Sequence, residues 1–340
     1  MNKTKVSSVL LALVLASLGT CARATYQVKQ SEVKSPHNAL LFTPQGTGNE
    51  TFPAIIFAHG LCGPAKLYTE MLKTLAGNGY VVMANQEQEI CQSPSIWNPF
   101  SVFSSIGNLR AQSDGKTMVD HIMEEVEFLR GRDDTLEEIA LVGHSMGGGA
   151  VIDAAAKLEG SDPGLVKALV AIAPWNGITK TSTPSDVASE ISAPMLIICS
   201  ENDQICPCSG EIGLATGFGR SWMSDYALEA IFYTQDHTWK GGVEAIFKDA
   251  EEGDANTTLI KFHNGGHFAL AGISDSQLEA LGKQMTSGSG LGGFANIFIN
   301  SGSYAMLPFS LSSLTTHAIQ LTDPFHATSF NSFHRSYKHG

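Results

Sequence analysis

The segment Gly143–Gly147 carries the clearest chemical signal in the chain. It reads G-H-S-M-G, which places Ser145 between two glycines in the pattern G-x-S-x-G. An apolar run at 139–142 precedes it, and an alanine-rich stretch that favours a helix follows it. On a strand, a sharp turn and a helix, this pattern is a nucleophile elbow, with the serine above a helix N-terminus that favours negative charge. The context predicts that Ser145 is a catalytic nucleophile; the alternative is an ordinary serine in a glycine-rich turn.

A serine hydroxyl is a weak nucleophile at neutral pH, so it needs a general base and an acid that orients the base. With this elbow, the partners follow in the order serine, acid, histidine. Asp203 is the predicted acid and Glu201 its competitor, because both follow an apolar run of strand type. His267 is the predicted base rather than His263, because the glycine pair 265–266 places it on a loop beyond the strand end.

An ester hydrolysed by this route passes through an oxyanion, which two backbone N–H groups stabilise. The residue after the nucleophile, Met146, is expected to supply one of them. Leu61, which follows His59-Gly60 at the end of an apolar run, is expected to supply the other. His59 itself is expected to make a structural hydrogen bond in its turn. His144 is interpreted as a supporting or substrate-flanking side chain, and we assign it to substrate binding.

Apolar runs and helical spacings alternate along the chain, and these elements must position the residues above. Strands are predicted at 53–58, 80–84, 139–142, 165–173, 194–199 and 257–262, and helices at 65–78, 116–130 and after the elbow. Residues 25–50 add one or two short strands. The alternation predicts an α/β fold with a doubly wound, mostly parallel sheet flanked by helices. The length of 340 residues is compatible with one large domain or two small ones.

Three segments fall outside this alternation. Residues 1–24 have a basic start, a short apolar centre and an A-R-A site, which predicts a signal peptide and a secreted or extracytoplasmic protein. The domain that carries the predicted nucleophile, acid and base is then 25–285. Within it, 209–253 is longer than a crossover needs and rich in aromatic residues, so it is a candidate helical cap. Residues 286–340 form a C-terminal extension whose structure the sequence does not indicate.

The cysteines bear on stability because export permits disulfides. Of six cysteines, five remain once the leader with Cys21 is removed, namely Cys62, Cys91, Cys199, Cys206 and Cys208. Cys62 and Cys91 follow predicted strand ends on one edge of the sheet and are the candidate pair. Cys199 lies inside an apolar run and is expected to be a buried free thiol. Cys206 and Cys208 are too close to bridge each other easily, although each could pair elsewhere.

Charge and missing motifs exclude several functions. The net charge of −12 and the absence of a lysine/arginine cluster argue against a nucleic-acid partner. No second apolar stretch is long enough to span a membrane. The sequence has no H-E-x-x-H, C-x-x-C, phosphate-loop or convincing dinucleotide motif, so we expect no metal and no cofactor. The expected partner is a small-molecule or polymer ester substrate, and the sequence leaves the oligomeric state open.

Five motifs in order resemble the α/β-hydrolase superfamily, and in particular its dienelactone-hydrolase-like branch, which includes cutinases and polyester hydrolases. They are His59-Gly60, Gly143–Gly147, Ala173-Pro174-Trp175, Glu201-Asn202-Asp203 and Asn264–His267, and the likeness covers about 50–205 and 257–270. The resemblance implies a secreted serine esterase that acts through an acyl-enzyme. It also implies that Trp175 contributes to substrate binding in the acyl cleft; the alternative is plain core packing.

The chain also departs from these relatives. Many polyester hydrolases carry a cysteine three residues before the acid and another two after the histidine, where this chain has Ser200 and Ala269. The segment 209–253 and the long tail are foreign to compact cutinases. Chlorophyllases and platelet-activating-factor acetylhydrolases share the same framework. The alternatives to a cutinase-like enzyme are therefore a chlorophyllase-like or lipid esterase, or a binding module with a hydrolase fold.

Overall fold

A computed structural model describes residues 26–46, 48, 50–61, 63–87, 112, 114–177, 182–203, 205–209, 241–274, 276–278 and 280. The predicted signal peptide 1–24, the Cys62–Cys91 pair and the extension 286–340 lie outside the described residues, as does 210–240 of the candidate cap. Their predictions stay predictions. In the part of the chain that is described, no helix is long and apolar enough to cross a membrane.

Eight strands of the described residues form one sheet in the order β1-β2-β4-β3-β5-β6-β7-β8. They are β1 Gln27–Val33, β2 Ala39–Gln45, β3 Phe52–Ala58, β4 Val81–Asn85, β5 Thr135–His144, β6 Val166–Ile172, β7 Met195–Ser200 and β8 Thr257–Phe262. β1 and β2 pair antiparallel at one edge, and β4 to β8 run parallel with β3. The order reverses around β3, which confirms the doubly wound, mostly parallel sheet.

Helices cover both faces of this sheet, as the apolar strands require. They are α1 Thr69–Gly77, α2 Met118–Arg130, α3 Met146–Ser161, the single turn α4 Pro184–Val187 and α5 Val243–Ala250, and a 3-10 turn, Ala65–Tyr68, leads into α1. α1 contributes to the core on one face, whereas α2, α3 and α5 contribute to the core on the other. Burial on both faces explains why β3, β4, β6, β7 and the 139–142 part of β5 read as apolar runs rather than as alternating patterns.

Helix α5 lies in the segment that the sequence marked as a candidate cap. Its Val243 and Ile246 are fully buried in the core that α2 and α3 share. The described end of this segment is therefore a layer of the sheet domain.

The carboxyl ends of the parallel strands meet at one edge of the sheet. Ser145 follows β5, Asp203 follows β7, His267 follows β8, and His59-Gly60 follows β3. In open α/β sheets, ligands bind at this edge near the point where the strand order reverses.

Candidate active site

The turn between β5 and α3 has the strained backbone of a nucleophile elbow. Ser145 has φ 57° and ψ −122°, outside the regions that non-glycine residues favour. A Cβ on Gly143 would lie 2.2 Å from the carbonyl oxygen of Gly147, and one on Gly147 would lie 2.2 Å from that of Ala58. Only glycine fits at both positions, because backbone atoms cannot move aside. Strand and helix thus come close enough to hold Ser145 in its turn.

Backbone hydrogen bonds fix the serine in this conformation. Its N–H donates to the carbonyl of Ile172 over 2.9 Å, and its carbonyl accepts from the N–H of Trp175 over 2.8 Å. The side chain lies at the N-terminus of α3, where the first N–H groups of a helix have no intrahelical acceptor. Met146 is the first residue of that helix. The elbow therefore presents Ser145 beside an amide that is oriented for an anion.

Asp203 and His267 lie together in the protein interior. The His267 Nδ1–H donates to Asp203 Oδ2 over 2.8 Å, and the two side chains are 2% and 0% exposed. Asp203 Oδ1 accepts from the backbone N–H groups of Ile205 and Cys206 over 2.8 and 2.9 Å. The carboxylate thus holds the imidazole in the tautomer whose Nε2 is an acceptor.

The competing pair occupies the same strand ends but lies in solvent. His263 Nδ1 lies 2.7 Å from Glu201 Oε2, and the His263 side chain is 85% exposed. The structure therefore brings the predicted acid and base together. The competing residues, Glu201 and His263, contact each other instead of the predicted acid and base.

Two side chains that sequence reasoning did not select hold the turn before His267. Asn202 Oδ1 accepts from the N–H groups of Gly265 and Gly266 over 3.0 and 2.8 Å. Ser200 Oγ accepts from the Gly265 N–H over 2.9 Å and donates to Asn202 Oδ1. Ser200 stands where the polyester-hydrolase resemblance expects a cysteine, and its hydroxyl ties β7 to this turn through hydrogen bonds. Asn202 could have been selected from the sequence because it lies next to the predicted acid, Asp203.

His144 is a supporting residue. Its side chain is fully buried, Nε2–H donates to the carbonyl of His267 over 3.0 Å, and Nδ1 lies 2.9 Å from the Tyr68 hydroxyl. Tyr68 also accepts from the Gly60 N–H over 3.1 Å. Burial lowers the pKa of His144 well below its usual value, as does the neighbouring His267 imidazole. The side chain has no exposed surface in this structure, which favours the supporting role, and the assignment of His144 to substrate binding stays a prediction.

The turn that carries Leu61 is held by a buried histidine. His59 Nδ1 lies 2.8 Å from the Gly60 carbonyl, and Nε2 lies 2.9 Å from the carbonyl of Glu87. This matches the structural hydrogen bond that we expect of His59. Leu61 is partly buried and lies just beyond β3, next to β5 in the sheet. The oxyanion role of the Leu61 and Met146 amides stays a prediction.

Trp175 lies next to the elbow. Its N–H bonds the Ser145 carbonyl, its side chain is partly exposed, and its ring packs over Gly177, where a Cβ would lie 2.3 Å from the indole nitrogen. Ala173, two residues before it, has φ 43°. The turn next to Ser145 thus carries a partly exposed aromatic side chain, and its role in substrate binding stays a prediction.

The cysteine predictions need a correction. Cys199 forms a disulfide with Cys208, with the Cα atoms 5.5 Å apart, so the expectation of a free thiol at Cys199 is wrong. The chain turns back after Asp203 and brings Cys208 to the end of β7. Cys206 is a buried free thiol that hydrogen-bonds the Ser145 side chain, and burial raises its pKa well above the usual value. A neutral thiol therefore lies against the predicted nucleophile.

Comparisons with known proteins agree with this geometry. A family model described as chlorophyllase matches residues 15–195, a range that includes the elbow and ends before Asp203. A bis(hydroxyethyl) terephthalate hydrolase from Streptomyces coelicolor is 26% identical over 190 residues, which are 54% of this chain and 52% of that protein. Chlorophyllase-1, chloroplastic, from Citrus sinensis is 24% identical over 144 residues, 40% of each chain. The similarity thus spans about half or less of each relative.

A solved structure supports the fold. The crystal structure of a putative dienelactone hydrolase from Klebsiella pneumoniae superposes with a TM-score of 0.50 at 15% identity, over 77% of this chain and 96% of that one. At this identity the likeness concerns the fold alone. Sheet order, elbow geometry and family match lead to one assignment: the chain belongs to the chlorophyllase family, within the α/β-hydrolase superfamily.

Proposed function

We propose that this protein is a serine hydrolase of carboxylic esters, with Ser145, His267 and Asp203 as its catalytic triad. The observation that carries the proposal is the buried Asp203–His267 hydrogen bond at the same sheet edge as Ser145, whose backbone is strained at the elbow. In a serine hydrolase the nucleophile, the base and the acid meet at one edge of the sheet, so a buried acid–histidine pair at the edge that carries the elbow supports this assignment. The two sequence relatives are named as ester-cleaving enzymes, which supports the same reaction class.

The reaction follows from the roles of these groups. His267 Nε2 takes the proton of the Ser145 hydroxyl as the oxygen bonds to the ester carbonyl carbon. Asp203 keeps the Nδ1–H and stabilises the imidazolium that forms. The imidazolium then protonates the departing alcohol, which leaves an acyl-enzyme on Ser145. A water molecule that gives its proton to His267 releases the acid and restores the serine.

The tetrahedral intermediates carry a negative oxygen in each half of the reaction. The amides of Met146 and Leu61 would donate to it, each typically contributing a few kcal/mol. The N-terminus of α3 adds a favourable partial charge at the same place. No cofactor takes part in this mechanism.

The proposed substrate is a hydrophobic ester, in the manner of cutinases and polyester hydrolases, with Trp175 against its acyl group. A chlorophyllase-like substrate is the second candidate, favoured by the family match. A panel of bis(hydroxyethyl) terephthalate, chlorophyll and p-nitrophenyl esters of short and long chains would rank them by kcat/KM. A lipid-esterase preference would appear as selectivity for long acyl chains, and a binding module would hydrolyse none of them.

Export is part of the proposal. The leader-like segment 1–24 supports it, and so does the Cys199–Cys208 disulfide, because disulfides persist in oxidising compartments. Fractionation of expressing cells, with the N-terminus of the exported form determined by mass spectrometry, tests this point. A cytoplasmic protein that keeps residue 1 would contradict it.

The nucleophile is tested by Ser145→Ala. Turnover of p-nitrophenyl butyrate should fall by about 10⁵-fold or more, since the acyl-enzyme can no longer form. Ser161→Ala, at the exposed end of the same helix, is the matched control and should keep wild-type turnover. Both variants should retain the wild-type circular dichroism spectrum. A folded Ser145→Ala protein that still turns over the ester would refute the mechanism.

A further inference from the structure

A second group of polar side chains lies between the β1–β2 connection and helix α2. His37 belongs to the connection, and His121 and Glu124 lie one turn apart on α2. We call these three residues the His–Glu cluster. One nitrogen or oxygen atom from each side chain falls within 4.8 Å of the others. Both histidines are buried and Glu124 is partly buried, so the cluster is no solvated surface patch.

Each histidine of the cluster has one ring nitrogen occupied by a carboxylate. His37 Nε2 lies 3.1 Å from Glu125 Oε1, and His121 Nε2 lies 3.1 Å from Asp114 Oδ1. If both nitrogens donate, each neutral ring keeps a lone pair on Nδ1. Histidines that bind metals commonly have this arrangement, in which a carboxylate orients the ring and fixes its tautomer.

The remaining nitrogen of His121 has no hydrogen-bond partner in the part of the chain that the structure describes. Its side chain is fully buried, and Nδ1 makes no hydrogen bond among the described residues. A buried polar atom without a partner normally costs about 1–3 kcal/mol. The two imidazole rings lie edge to face with centroids 4.2 Å apart, so the ring that carries this nitrogen packs directly against that of His37.

The third atom of the cluster is also an electron-pair donor. Glu124 Oε2 lies 3.3 Å from His37 Nδ1, and the Lys116 ammonium bonds the other carboxylate oxygen, Oε1. With the proton of His37 on Nε2, its Nδ1 and the glutamate oxygen are two acceptors facing each other. A proton on Nδ1 would relieve that contact, but it would leave His121 Nδ1 unsatisfied. One cation bound by all three atoms satisfies the whole cluster.

We propose that His37, His121 and Glu124 bind a divalent transition-metal ion. Two imidazole nitrogens and one carboxylate oxygen are a ligand set that suits Zn²⁺, with water completing the coordination. The bound ion would join the start of β2 to α2. No residue of the cluster belongs to the proposed triad, so metal binding can be tested without relying on the esterase activity.

The ion would also stabilise the turn that carries Leu61. Asn38, next to His37, donates its backbone N–H to Glu87 Oε1 over 3.3 Å, and the Glu87 carbonyl lies 2.9 Å from His59 Nε2. Asn38 and Glu87 therefore connect His37 of the cluster to His59 at the end of β3. We assign the ion a structural role at this edge of the sheet.

Calorimetric titration of ZnCl₂ into the chelator-stripped full-length protein tests the site. Glu124→Gln keeps the shape of the side chain and removes a ligand, so Zn²⁺ affinity at this site should fall at least about 10-fold. Glu127→Gln, on the exposed face of α2, is the matched control and should bind as the wild type does. The chain has 11 histidines in total, and those outside the cluster could also bind Zn²⁺. The difference between the variants therefore identifies the site.

Thermal unfolding supplies a second readout. Zn²⁺ should raise the Tm of the wild type and of Glu127→Gln, because it binds the folded chain, and should raise that of Glu124→Gln much less. His121→Gln removes a second ligand and should behave as Glu124→Gln does. If both ligand variants bind and respond to Zn²⁺ as the wild type does, or if the wild type shows no saturable binding, the proposal is overturned.

Discussion

At the residue scale, burial distinguishes the two acid–histidine pairs that follow β7 and β8. Asp203 and His267 lie in the interior, where Asp203 accepts three hydrogen bonds. Glu201 and His263 form a similar contact in solvent, where an ion pair is typically worth no more than about 1 kcal/mol. Only the buried pair can hold an imidazole in one orientation against thermal motion.

Asp203→Asn should therefore lower kcat by roughly 10³–10⁴-fold with the fold retained. The amide oxygen should keep the two hydrogen bonds from the Ile205 and Cys206 N–H groups, which leaves the amide NH2 facing His267 Nδ1. That NH2 donates to Nδ1, so the imidazole favours the other tautomer and loses its acceptor nitrogen at Nε2. Steady-state hydrolysis of p-nitrophenyl butyrate measures the effect. Glu201→Gln serves as the matched control and should change kcat by less than about two-fold. Equal losses in the two variants would mean that the acid has been misassigned.

His144 is predicted to make stability depend on pH. The unfolded chain takes up a proton at this residue as the pH falls through 6.5, while burial keeps the folded form neutral to well below that value. Acidification thus favours unfolding by up to about 1.4 kcal/mol per pH unit below 6.5. His144→Gln cannot take up this proton, so its free energy of unfolding should fall less steeply between pH 6.5 and 5.

Urea denaturation of both proteins at several pH values measures the difference in slope. The pKa of His37 is shifted in the opposite direction, upward, so protonation of this residue favours the folded state. Burial by itself would lower this pKa, but the hydrogen bonds and charges of Glu125 and Glu124 outweigh that effect. His37 is common to both proteins, so its contribution cancels in the comparison. Parallel stability curves would show that His144 titrates normally.

At the element scale, the close approach of β5, α3 and β3 depends on two glycines. Gly147→Ala should abolish turnover and destabilise the fold by at least about 3 kcal/mol, because its Cβ would lie 2.2 Å from the Ala58 carbonyl oxygen. Neither backbone can retreat without breaking the strand–helix contact. Enzyme assays and chemical denaturation test both effects.

Gly160→Ala is the control within the same helix, since a Cβ there meets nothing within 4 Å. It should leave turnover unchanged and stabilise the protein by up to about 1 kcal/mol, the difference in helix propensity between alanine and glycine. An active Gly147→Ala enzyme of normal stability would show that the elbow is less tightly packed than these distances require.

At the scale of the whole molecule, every described strand and each residue of the proposed triad precede residue 281. A chain of residues 25–285 should therefore fold to the same sheet and keep kcat/KM within about three-fold of the protein that also contains 286–340, because the described strands and the helices that pack on them all lie within that range. Circular dichroism, thermal unfolding and ester hydrolysis compare the two. An unfolded or inactive short form would place the extension within the catalytic domain.

The sequence alone determined the parts of this protein that local patterns specify. Continuous apolar runs predicted the buried parallel strands, and β8 lies where its run predicts, at Thr257–Phe262. Helical spacing predicted α2, which begins after the Thr117 cap. The glycines of G-x-S-x-G predicted the elbow, because a tight strand–turn–helix has no room for a side chain at these two positions.

The tertiary structure alone decided which distant side chains meet. Tyr68 bonds His144 and the turn after β3, Cys199 pairs with Cys208, and His37 joins His121 on α2. Nothing in local spacing predicted these contacts, since each depends on how strands and loops pack across the sheet edge. Periodicity reports which face of an element is buried, whereas the identity of the neighbour on that face is set only when the whole sheet assembles.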